Sequence, residues 1–165
     1  MHDGIMILAS VWFISTHIWA ATSDAVHMRI PNALVLYLLA GFAVTAALSP
    51  PDLAEIAGRS AVCAAILAGG MIFFARGWMG GGDVKLLAVT ALWLGPAATP
   101  GFLLLTAMAG GLLTLAVVAH HARVDRMGDA RTPADRLPHR VPYGIAIAAA
   151  ALATVFLRPG ALVTG

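Results

Sequence analysis

Gly77-Trp78-Met79-Gly80-Gly81-Gly82-Asp83-Val84-Lys85-Leu86-Leu87 is the stretch on which the reading of this 165-residue chain turns. A carboxylate directly follows three glycines and opens an apolar run. Glycines admit backbone conformations and close approaches that are closed to other residues. Asp83 in that setting has two readings: the cap of the helix that follows, or a group held ready for chemistry. A third reading, in which Gly80 to Lys85 cradles phosphate, fares badly. A phosphate loop runs Gly-x-x-x-x-Gly-Lys-Ser/Thr, and here Asp83 separates glycine from lysine.

Around that stretch the chain is almost all membrane-grade. Hydrophobic residues make up 60% and charged residues 11%, and the mean hydropathy is +0.87. Several uncharged runs approach the length that crosses a hydrocarbon core about 30 Å thick. This excludes a soluble globular domain and predicts an all-α polytopic membrane protein, with one membrane-embedded domain over residues 1–165. The formal charge of +2 decides little, because in a membrane protein the distribution of charge matters more than its sum. Cys63 is the single cysteine, so no internal disulfide or cysteine-based zinc cluster is expected. It lies in an apolar run, as a small buried thiol does. Met1-His2-Asp3-Gly4 carries no Lys or Arg, against a cleaved secretory signal; the first run is expected to be a retained span.

The apolar runs are Ile5–Ser23, Ala33–Ser49, Ser60–Ala75, Val84–Leu94, Gly101–Ala119 and Val141–Leu157. Pro31 opens the second run, Pro50-Pro51-Asp52 closes it, and Gly95-Pro96 and Pro100 punctuate the end of the fourth. Proline disfavours helix at the residue before it and suits a first helical turn. Gly69-Gly70 offers a surface for close packing in lipid. The runs predict six transmembrane helices. Lipid-facing helices lack a polar face, so helical periodicity does not orient them.

Counting charges orients the chain. With six crossings, one set of loops holds Arg29, Arg76, Lys85, Arg123, Arg126, Arg131, Arg136 and Arg140, and the other holds Arg59 and Arg158. The positive-inside rule then puts both termini outside and the first set in the cytoplasm. Asp24 and Asp83 fall on the same side. If Gly95 marks the outer end of the fourth span, Asp83 lies about 18 Å below it, short of the far surface of a core about 30 Å thick.

Ionisable residues at membrane depth cost about 2.5–3.5 kcal/mol each on insertion scales and usually serve a function. Two carboxylates in a small, partly dry site do not both ionise readily, so the pair holds one proton. One group can then draw a proton from water while the other donates to a carbonyl oxygen. The plainer reading stays open for each: Asp83 as an N-cap, and Asp24 as the interfacial end of the first span.

Gly80-Gly81-Gly82-Asp83 fits the Gly-x-Gly-Asp signature of membrane aspartyl proteases. Together with Val84-Lys85-Leu86-Leu87, Asp24 with Arg29-Ile30-Pro31-Asn32, and Val141-Pro142-Tyr143-Gly144, it resembles the type IV prepilin peptidase family. The likeness is strongest to its short branch, which serves tight-adherence (Flp-type) pili, and it covers nearly the whole chain. The resemblance implies an endopeptidase that removes the leader of a prepilin at the cytoplasmic face of the bacterial inner membrane. It makes Asp24 and Asp83 the catalytic pair, with Gly80 and Gly82 letting substrate backbone lie near Asp83. The expected partners are a prepilin leader and the bilayer, without nucleic acid, metal or other cofactor. The longer members' N-terminal region with its paired cysteines has no counterpart here, so their N-methylation of the mature pilin is expected to be absent.

Other residues carry weaker signals. Lys85 either tunes a carboxylate, holds substrate or snorkels to headgroups. Pro31 and Asn32 shape the turn after Asp24, and Arg29 anchors topology. His17 lies mid-span, where hydrogen-bonded packing outweighs ligation. His120 and His121 are adjacent and do not share a helix face, and no metal-ligand spacing occurs. His120–Arg140 reads as a solvated basic loop near anionic lipid. Trp12, Trp19, Trp78 and Trp93 fall mostly near run ends, as interfacial anchors do. Two rival classes remain. A proton-coupled transporter would use paired membrane carboxylates as a relay, and a silent pilus-assembly subunit would not need them.

Overall fold

Proline and glycine set most of the helix boundaries. The computed structural model describes residues 2–126, 142–158 and 162, and among these the regular structure is entirely helical. Helix α1 is His2–His27, α2 Asn32–Leu48, α3 Leu53–Ala75, α4 Gly81–Arg126 and α5 Tyr143–Leu157. Met28 ends α1 with a left-handed φ of 51°, its N–H on the Asp24 carbonyl at 2.9 Å. Pro31, extended at φ −64° and ψ 141°, is the N-cap of α2.

Two boundaries differ most from the apolar runs. Helix α3 begins at Leu53, ahead of the run at Ser60, because Asp52 caps it by accepting the Glu55 N–H at 2.6 Å. Glu55 and Arg59 then form an ion pair one turn apart, so their charges do not stop the helix. Arg59, counted above as a loop cation, is a buried helical residue. Helix α4 joins the fourth and fifth runs and continues past Ala119. Its one non-helical residue is Gly95, at φ 71° and ψ 175°, a conformation that glycine takes without strain. The Gly81–His120 segment spans 40 residues, about 60 Å if straight, roughly twice the thickness of a hydrocarbon core.

Arg59 satisfies the carbonyls freed at the Gly95 break. Its Nη1 donates to the Leu92 carbonyl at 3.2 Å and also to that of Trp93. Beyond the break, Arg158 Nη1 donates to the Ala97 carbonyl at 3.0 Å. Three segments, Asp3–His27, Leu53–Ala75 and Gly81–His120, are long and apolar enough to cross a membrane. The apolar helices α2 and α5 are shorter, at 17 and 15 residues.

Helices α1, α2, α4 and α5 form a ring, each packing on its two neighbours, and α3 lies outside it against α4. Helices α1 and α4 face each other across the ring, and among the described residues none of their Cα atoms approach within 8 Å. Side chains fill the space between them: Phe13, His17, Leu34, Leu38, Leu86, Thr90, Trp93 and Ile147 are buried there. Gly41 makes room for Trp12, and Gly70 for Val84, where a Cβ would stand 2.5 Å from the neighbour. These are the close approaches that small residues permit in lipid. Two tryptophans depart from the interfacial expectation. Trp93 is fully buried and donates to the Leu38 carbonyl at 3.0 Å, and Trp12 donates to the Tyr37 carbonyl at 3.0 Å. Each ties down a neighbouring helix, Trp93 from the apolar interior, where an indole N–H requires an acceptor, and Trp12 from a partly exposed position. Met71, Ile72, Phe73 and Phe74 on α3 are exposed, as on a helix facing lipid.

Candidate active site

One end of the ring gathers the end of α1 and the starts of α2, α4 and α5. Asp24 sits in the last turn of α1 and is buried. Its Oδ2 accepts the Gly144 N–H at 2.7 Å, and the Ile145 N–H also reaches its carboxylate. Both amides belong to the first turn of α5, whose N-terminus favours an anion; the Ile145 N–H also bonds the Pro142 carbonyl at 3.3 Å. Asp24 thus ends the first apolar run with its side chain turned inward, joining α1 to α5. Gly144 is essential to the fit. A Cβ there would lie 2.8 Å from Asp24 Oδ2 and 3.0 Å from its Cβ and Cγ.

Asp83 is the third residue of α4, so the N-cap reading is corrected by one turn: Gly80 precedes the helix. Val84 N–H bonds the Gly80 carbonyl at 3.1 Å, and the Asp83 carboxylate folds back onto the Gly80 N–H. This is the reciprocal half of a capping box. A Cβ on Gly80 would come within 2.7 Å of Asp83 Oδ2, and one on Gly82 within 3.1 Å of the Ile30 carbonyl oxygen. The space beside these two glycines thus holds the chain's own carboxylate and the α1–α2 turn. Asp83 is half-buried and close enough to Asp24 for the two charges to interact.

The surrounding turn is braced. Ser23 Oγ donates to the Arg29 carbonyl at 2.8 Å, while Pro31 and Asn32 open α2. Lys85 Nζ donates to Asn32 Oδ1 at 2.9 Å, linking the starts of α2 and α4 at the exposed rim. Lys85 therefore engages Asn32, and among the described residues neither aspartate forms an ion pair. The structure thus brings Asp24, Pro31, Asn32, Gly80, Gly82, Asp83 and Lys85 to one end. Val141 and the basic segment beyond Arg126 lie outside the described residues.

Three contributors were not singled out from the sequence. The signal for Gly144 is a glycine at the start of an apolar run. Arg59 was read as a topology charge, although Glu55 four residues earlier marked a helical pair. Thr90 gave no signal alone; its spacing from Asp83 acquires meaning beside His17.

The fold and this end of the ring define a helical membrane protein with two carboxylates set on facing helices. A model of the type IV leader peptidase family matches residues 11–115, and the chain belongs to that family. It is accordingly a peptidase of the prepilin leader-removing type. The matched stretch contains both Asp24 and Asp83 and ends before α5. No curated protein and no solved structure matches the chain.

Proposed function

We propose that this peptidase is an aspartyl endopeptidase that cleaves prepilin leaders through Asp24 and Asp83. The observation carrying this reading is that two carboxylates from facing helices lie at one end of the ring, near enough to interact, and that neither forms an ion pair among the described residues. A water held between them is the nucleophile. One carboxylate takes a proton from that water as its oxygen attacks the scissile carbonyl carbon, and the other, protonated, donates to the carbonyl oxygen. Collapse of the tetrahedral intermediate breaks the C–N bond, and the departing amine takes a proton from the pair.

The setting is a cleft within the membrane profile, open to the cytoplasm so that water enters. Gly110 of α4 packs against Tyr143, the residue before Gly144, and the apolar helix continues through Ala119. Those further nine residues extend about 13 Å, which supports a site below the apolar boundary. Six crossings, with the two arms of α4 counted separately and both termini outside, accommodate this depth. The bacterial inner membrane and an Flp-type prepilin are the setting and substrate that the sequence resemblance favours.

The test is leader trimming by the purified full chain with a prepilin substrate. Asp24→Asn and Asp83→Asn each lower kcat by about 10³-fold while the melting temperature is kept. Trimming by both variants at the native rate overturns the mechanism.

A further inference from the structure

Two turns deeper than the carboxylates, the interior of the ring holds a second polar pair drawn from the same two helices. His17 lies seven residues before Asp24 on α1, and Thr90 lies seven after Asp83 on α4. Seven residues make almost two helical turns, so each residue shares a face with its aspartate, about 10 Å away along the axis. His17 and Thr90 are both fully buried, and His17 Nε2 lies 2.9 Å from Thr90 Oγ1. The next step along both helices brings Phe13 against Trp93, with ring centroids 5.6 Å apart. His17–Thr90 and Phe13–Trp93 are thus successive rungs beyond the aspartates, between antiparallel helices whose backbones do not touch.

The middle rung is polar and directional. His17 Nδ1 lies 2.8 Å from the Phe13 carbonyl, which can only accept, so Nδ1 carries the hydrogen. In the neutral ring Nε2 is then an acceptor, and the Thr90 hydroxyl donates to it. The Phe13 ring packs on the imidazole at 4.1 Å and fixes its plane. A buried hydrogen bond of this kind has a narrow range of length and angle, whereas apolar contacts across the same gap tolerate sliding.

We propose that His17 and Thr90 are a positioning pair that sets the separation and register of Asp24 and Asp83 across the α1–α4 gap. The proposal rests on the catalytic reading of the two aspartates given above. Neither residue touches the reacting atoms. Their bond holds the facing helices at the spacing in which one water bridges both carboxylates, and a displacement of about 1 Å suffices to lower a rate strongly.

The experiment reads spacing and catalysis separately, in the full chain reconstituted into lipid. In a Cys63→Ala background, spin labels at Asp24→Cys and Asp83→Cys report the distance distribution between the two positions. Thr90→Val, which keeps the side-chain shape and removes the hydroxyl, broadens or shifts that distribution, and Thr90→Ser restores it. In the otherwise native chain, Thr90→Val lowers kcat about tenfold with KM unchanged, and Thr90→Ser recovers it. A native distance distribution and native kcat in Thr90→Val overturn the proposal, as does a Thr90→Ser variant impaired as deeply as Thr90→Val. If the distances respond to Thr90 while Asp24→Asn and Asp83→Asn still trim the leader, the spacing role stands and the catalytic reading falls.

Discussion

At one end of the ring the carboxylate of Asp24 faces the N-terminus of α5; at the other, the guanidinium of Arg59 faces the carbonyls at the Gly95 break. Each arrangement puts the favourable charge at a helix terminus. The difference lies in what else meets the charge. Arg59 is held by Glu55 through Nε and Nη2 at 2.9 and 2.7 Å, besides the two carbonyls on Nη1. Asp24 and Asp83 have backbone amides and each other. A buried charge with a counter-ion and satisfied donors is a structural joint. Two carboxylates close together and, among the described residues, without a counter-ion are the arrangement expected of the catalytic pair proposed above.

The largest effect that separates the two ends is expected at the aspartates, where Asp→Asn removes about 10³-fold of kcat and leaves stability near native. Arg59→Met should do the reverse. Leaving Glu55 and two carbonyls unanswered destabilises the fold by about 3–5 kcal/mol, read from the denaturation midpoint in micelles. The fraction that remains folded should still cleave with near-native kcat. Adding Glu55→Leu to that variant should recover only part of the loss, because the Leu92 and Trp93 carbonyls stay without a donor. Full recovery would show that the break needs no cap.

Gly144→Ala sharpens the contrast from the carboxylate side. Its Cβ would press on Asp24, so kcat should fall by about 100-fold with little change in melting temperature. An unimpaired Gly144→Ala enzyme would mean that Asp24 need not be held by α5. The smallest effect belongs to Asp52→Ala, which removes the α3 cap at the Arg59 end. It should cost about 1 kcal/mol in the same denaturation measurement and leave cleavage unchanged.

The helical runs, many of the proline and glycine boundaries and the placing of Asp24 and Asp83 at one end were readable from residue order, because hydropathy acts through local composition. The family was readable too, from short blocks in order. What residue order left open was rotation. Apolar helices in lipid present no polar stripe, so nothing local tells which face of α1 meets which face of α4. Packing decided that α1 and α4 stand across the ring, that Asp83 is a third helical residue answering Gly80, and that Gly144, 120 positions from Asp24, supplies its amide. It also made a hydrogen-bonded rung of His17 and Thr90, 73 positions apart. Such pairings arise from side chains filling one shared interior, a constraint that no single segment contains.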